Sequence, residues 1–198
     1  MEKQIPIFDC ILDKEGLLGP SAISLVNDPA MESRFVTLSK AKELGVMEVH
    51  LKAGPVEKRM IYGAVLIPDK LIYRVDKDRG EYYIRMSAEV IEEWRERYMK
   101  RHLQQAATLE HTFPVEGLTT VELWTKISDQ DKSVALGFNE PDGTLFAGMK
   151  CDDDKILEDA KAGIFTGFSV ESWFNHVQSD ETILETVMAE LAAILRGE

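Results

Sequence analysis

Tyr62-Gly63-Ala64-Val65-Leu66-Ile67-Pro68-Asp69-Lys70-Leu71-Ile72-Tyr73-Arg74 holds an apolar run, a turn and a second apolar run. Residues 59–67 read as one strand and Leu71–Val75 as the next. Pro68-Asp69-Lys70 supplies the turn between them, because proline presets φ and aspartate bonds its own backbone. Outward from this unit the pattern repeats. Strands are predicted at 5–12, 21–27, 34–38, 47–52 and 81–86, each bounded by Gly, Pro or charge, with Asp28-Pro29 stopping the second. After Ser87, an N-cap residue type, Val90, Ile91, Trp94 and Tyr98 recur at helical spacing. That helix is predicted to run to about Gln105. Strands follow at 120–128, 133–138 and 144–150. A short helix is read over Asp153–Ala162, with acids at its start and Gly163 at its end. Ile164–Phe174 reads as a strand and Thr182–Leu195 as an amphipathic helix. Many short strands with few helices predict an α+β domain. Its core would be a β-barrel-like antiparallel or mixed sheet, closed or nearly so, with flanking helices. The polar run Gln178-Ser179-Asp180-Glu181 reads as an exposed hinge. It would separate a domain at 1–177 from a C-terminal helix at 178–198 that packs on the domain or binds a partner.

The chain has 198 residues, 44% hydrophobic and 29% charged, which suits one compact domain with its own core. A formal net charge of -12 argues against a general nucleic-acid binder, since phosphate would repel it. No window reaches the roughly 18 apolar residues that a membrane span needs. Met1-Glu2-Lys3-Gln4 lacks the apolar stretch of a secretory leader, so a cytoplasmic protein is expected. Cys10 and Cys151 form no CxxC pair and have no metal-like spacing with the histidines; both read as ordinary buried thiols.

The sequence contains no G-x-S-x-G elbow, H-E-x-x-H helix, P-loop or G-x-G-x-x-G turn, so no metal or cofactor is expected. Two contexts remain. Leu109-Glu110-His111-Thr112 follows the long helix, with Leu109 and Phe113 as apolar neighbours of the imidazole. Gly167-Phe168-Ser169-Val170-Glu171 lies on a predicted strand. Alternation puts Phe168 and Val170 on one face and Ser169 on the other, so Phe168 can anchor in the core while the hydroxyl points into a cleft. A hydroxyl and a base are the first requirements of nucleophilic acyl transfer.

Four phrases in one order carry a resemblance. They are Ala22-Ile23-Ser24-Leu25-Val26-Asn27-Asp28-Pro29-Ala30, Tyr62–Arg74, Leu109-Glu110-His111-Thr112 and Gly167-Phe168-Ser169-Val170-Glu171. Over roughly residues 20 to 175 the chain resembles the XkdF-like branch of phage prohead serine proteases, a group that in turn resembles herpesvirus assemblins in fold. The resemblance implies a serine endopeptidase held inside the procapsid in the bacterial host cytoplasm. Its substrates would be the scaffold and major capsid proteins, and its own chain. Read from its polar residues alone, Gln178–Glu181 is an exposed place to cut. It implies Ser169 as nucleophile and His111 as base. In other branches, a phrase like Ile23-Ser24-Leu25-Val26 follows the nucleophile and carries or adjoins an acid. Here it comes first, as though the barrel were circularly permuted, which would set strand 21–27 beside Ser169. Ser24 then takes the third position. Asp28, Glu122 and His176 are alternatives, and Glu110 ranks below them. Tyr73 and Arg74 are expected at the cleft rim. Two non-enzymatic readings stay open: a scaffold module on the same fold, and a tube-forming structural protein. A homo-oligomer is compatible with each.

Overall fold

The computed structural model describes residues 5–31, 36–37, 59–180 and 184. The strand read at 47–52 and the helix read at 182–195 lie outside the described residues, Leu184 apart. The described strands form three four-stranded sheets. One contains β1 (Ile7–Ile11), β5 (Ile72–Asp76), β6 (Gly80–Arg85) and β12 (Asn175–Gln178), in the order β12-β1-β6-β5. The second contains β3 (Val36–Thr37), β4 (Met60–Leu66), β9 (Leu118–Thr125) and β10 (Leu145–Cys151), in the order β3-β4-β10-β9. The third, which carries the site, contains β2 (Gly19–Val26), β7 (Ala107–Leu109), β8 (Phe113–Pro114) and β11 (Gly167–Trp173), in the order β11-β2-β7-β8.

The fold is α+β and sheet-rich as expected, but the barrel-like closure is not found. Closure needs the outer strands of a sheet to pair with each other, and among the described residues each sheet keeps two unpaired edges. What unites the sheets is one buried cluster, to which Ile23 and Leu25, Ile61 and Phe146, and Ile72 and Ile84 contribute from the three sheets in turn.

Helix α1 (Ala88–Lys100) begins where Ser87 Oγ accepts the Val90 N–H at 3.4 Å. It buries Ile91, Trp94 and Tyr98 completely. Burying such a side chain is worth about 1.5–3 kcal/mol. An exposed pair such as Glu96–Lys100 is worth only about 0.3–0.5 kcal/mol, so the apolar face docks this helix. Two polar grips orient it toward the site. Trp94 Nε1 donates to Ser172 Oγ on β11 at 3.0 Å. Arg97 and Arg101 hold the segment that feeds β2, the first through Asp13 Oδ1 at 2.8 Å and the second through the Pro20 carbonyl at 2.8 Å. Burial opposes ionisation of Asp13, yet the Arg97 hydrogen bond and the Leu17 and Leu18 N–H groups outweigh it and hold its carboxyl down at about 2.

Several local readings are corrected by the structure. Residues 133–138, read as a strand from Val134, Leu136 and Phe138, begin instead with helix α2 (Lys132–Ala135), capped by Asp131, whose carboxylate accepts the Ser133 N–H at 2.8 Å. The polar run at 178–181 does not start as a hinge. Gln178 pairs with Phe8, and Ser179 is fully buried with its N–H on the Ile7 carbonyl at 3.0 Å. A protease could not reach the backbone at Gln178 and Ser179 without opening the sheet. Helix α3 (Asp154–Ala162) fits its reading: Asp153 caps it through the Ile156 N–H at 2.8 Å, and Gly163 ends it at φ 78°.

Candidate active site

Ser169 sits in the middle of β11. Its neighbour Phe168 is wholly buried, while Ser169 keeps 8% of its surface exposed and lines a cleft. β11 runs antiparallel to β2 with Ser169 opposite Ser24, and β2 runs parallel to β7 with Ser24 opposite Thr108. Strand 21–27 therefore does lie beside Ser169. Directly paired residues share a face, so the three hydroxyl residues form one row across the sheet. The β11–β2 register shifts between Glu171 and Ser172, leaving Ser21 as the extra residue; its hydroxyl donates to the Glu171 carbonyl at 3.0 Å.

His111 reaches this row from the turn between β7 and β8. Thr112 N–H closes the turn on the Leu109 carbonyl at 3.0 Å. Glu110 and His111, its two central residues, both have positive φ, at 49° and 56°. Glycine and asparagine are the usual occupants there, and a side-chain residue in that region is strained. Three anchors hold the turn. The Glu110 N–H donates to the Leu25 carbonyl at 3.0 Å. The Glu110 carboxylate accepts the Asn27 N–H at 2.8 Å. The fully buried Ser24 Oγ accepts the His111 backbone N–H at 3.0 Å.

The imidazole Nδ1 lies 3.5 Å from Glu171 Oε1. Glu171 follows Ser169 by two residues on β11 and so shares its face. Thr108 Oγ1 donates to the same carboxylate oxygen and fixes it in the row. His111, Ser169, Glu171, Arg74, Ser21 and Trp173 all line one open cleft of about 390 Å³. No hydrogen bond joins the imidazole to the Ser169 hydroxyl among the described residues, and without a bound substrate such bonds are often unmade.

The other sequence candidates fall elsewhere. Ser24 adjoins Ser169 as expected, but it supports the histidine backbone and not the ring. Glu122 is on β9, bound to Tyr62 OH at 2.9 Å and to Lys132. Asp28 is exposed beyond the end of β2 and is not part of the cleft lining. Glu110 serves the turn. His176, on β12, has Nδ1 2.9 Å from Arg79 Nη1; burial, then Arg79 and Arg74, push its pKa below the ordinary histidine value. It lines a second, apolar pocket with Ser169. Leu109 packs against the core beside the turn, whereas Phe113 is 67% exposed and does not hold the ring. Arg74 lines both spaces; Tyr73 turns away to Glu81. Among the described residues no group of three or more His, Cys, Asp or Glu side chains could hold a metal ion.

Glu171 was missed by sequence reading, although the signal was present. It closes the phrase Gly167–Glu171, and period-two alternation alone places it on Ser169's face.

A strand hydroxyl, an imidazole and a carboxylate lining one cleft are the group types used by serine hydrolases. The chain matches, over residues 47–178, the family model described as "Putative phage serine protease XkdF". It belongs to that phage serine protease family. The matched region holds Arg74, His111, Ser169 and Glu171, while Ser24 lies before it. No curated protein and no solved structure matches the chain significantly.

Proposed function

We propose that this protein is a serine endopeptidase that cuts scaffold and major capsid proteins, and its own chain, as a phage procapsid matures in the host cytoplasm. The observation that carries this reading is the shared cleft of Ser169, His111 and Glu171 in a member of a phage serine protease family. Nδ1 of His111 faces Glu171, which leaves Nε2 for the Ser169 proton. Ser169 Oγ attacks the scissile carbonyl carbon as Nε2 takes that proton. The C–N bond then breaks, and the imidazolium returns the proton to the leaving amine. Water, deprotonated by the same nitrogen, releases the acyl group and restores the hydroxyl. Glu171 orients the ring and offsets its positive charge, and Thr108 keeps Glu171 in line. Arg74, the cationic side chain of the cleft lining, is the candidate source of positive potential for the oxyanion.

The test is co-expression of the full chain with its cognate scaffold and capsid proteins, wild type against Ser169→Ala. Defined fragments that appear with the wild type and vanish with the variant are expected. Fragments that persist with Ser169→Ala would overturn the assignment.

A further inference from the structure

Ser169 borders two spaces. One is the open cleft that also holds His111. The other is a separate pocket of about 250 Å³ whose walls include Val65, Leu66, Ile72, Ile84, Met86 and Phe174. These residues come from β4, β5, β6 and the ends of β6 and β11, so the pocket lies where the three sheets meet. Arg74, Ser169, Val170, Ser172 and Trp173 line both spaces, so the pocket and the cleft share a wall that includes Ser169. A dry apolar cavity of about 150 Å³ already admits benzene. The space is therefore large enough for a leucine, methionine or phenylalanine side chain.

The two spaces differ in what they offer a peptide. During acyl transfer the leaving amine must lie within reach of the base that protonates it. His111 lines the cleft and not the pocket. The amine side of the bond therefore belongs to the cleft, and the acyl side faces the pocket. A charged side chain is a poor occupant: Arg74 repels lysine or arginine, and an aspartate that pairs with Arg74 still gives up its water in a lining that is mostly apolar.

Resting on the proposed proteolytic function, we propose that this pocket receives the side chain of the residue whose carbonyl Ser169 attacks, and that the chain cuts after large apolar residues. Ala30, which also lines the pocket, is where its volume is most simply reduced.

The experiment uses the full chain and a proteome-derived peptide library, with products identified by mass spectrometry. Wild type, Ser169→Ala and Ala30→Leu are compared. Expected is Ser169-dependent cleavage after Leu, Met or Phe that exceeds cleavage after Asp, Lys or Ala by about tenfold or more, the discrimination an apolar pocket achieves. Ala30→Leu should swing the preference toward Ala by a similar factor. If Ala30→Leu does not fold, Ile72→Val widens the same wall and should raise Phe relative to Leu.

A second readout does not depend on turnover. Peptides differing only at that one residue are titrated into Ser169→Ala protein and followed by Trp173 emission, with a Trp173→Phe blank. The Leu peptide should bind at least about tenfold more tightly than the Asp peptide. Equal binding overturns the pocket assignment whatever the cleavage assay gives. Ser169-dependent cleavage with no apolar preference, or after acidic residues, overturns the pocket and leaves the proteolytic reading standing. Cleavage undiminished by Ser169→Ala overturns both.

Discussion

Ser24→Ala removes one oxygen from the middle of a sheet and should act on catalysis through the backbone. In the wild type, Ser24 Oγ accepts the His111 N–H at 3.0 Å. Losing a hydrogen bond of this kind costs about 0.5–1.5 kcal/mol. The turn it supports is already strained, since Glu110 and His111 both lie at positive φ. Left-handed backbone costs about 1–2 kcal/mol for each such residue. The lost bond is thus comparable with the strain it helps to contain, and the turn should relax, carrying the imidazole with it. Near 200 residues, each kcal/mol lowers Tm by about 2–4 °C. A displacement near 1 Å at a reacting group costs about 100-fold in rate. Ser24 is not part of the cleft lining, so the loss should fall on kcat while KM stays close to wild type. Ser24→Cys, nearly isosteric but a weak acceptor, should fall between the two. Calorimetry and steady-state cleavage of one fixed peptide give both numbers. Wild-type kcat together with wild-type Tm in Ser24→Ala would refute this account of the turn.

The other expectations are more direct. Glu171→Gln keeps the shape of the row but removes the charge 3.5 Å from the imidazole, and should lower kcat by about 100-fold with the Tm little changed; an unaltered kcat would remove Glu171 from the site. Asp13, held at about 2 against an ordinary 3.8, contributes stability that is present above pH 4 and lost as pH falls toward 2. Asp13→Asn should therefore lower Tm at neutral pH and flatten the acid limb in that window, as read by thermal shift across pH. Gly148→Ala would put a methyl 2.4 Å from the Tyr62 ring, which must then leave Glu122; overpacking of this kind costs about 1–3 kcal/mol, visible as a lowered denaturant midpoint.

Where one residue type decides local geometry, the sequence was legible. Ser87, Asp153 and Gly163 marked helix ends because caps are local chemistry. The alternation Phe168–Ser169–Val170 divided core from cleft because strand period is local too. Sheet closure was not legible, since it depends on which edges meet. The turn at His111 was hidden for another reason. Its strands are three and two residues long, and its centre is Glu110-His111, with none of the Gly, Asn or Asp that announce positive φ. The strain is sustained from outside, by Ser24, Leu25 and Asn27, more than eighty residues earlier in the chain. Residues 133–138 failed because Val134, Leu136 and Phe138 mimic strand alternation, while Asp131 caps a helical turn just before them.

His111 is what makes the Ser169 hydroxyl nucleophilic in the proposed mechanism. Incubation of the full chain with a fluorophosphonate, followed by intact mass and peptide mapping, tests it without knowledge of the substrate. A single adduct on the Ser169 peptide, lost in His111→Ala protein that keeps its wild-type melting temperature, is predicted. An unlabelled wild-type chain, or an adduct on another residue, would contradict it.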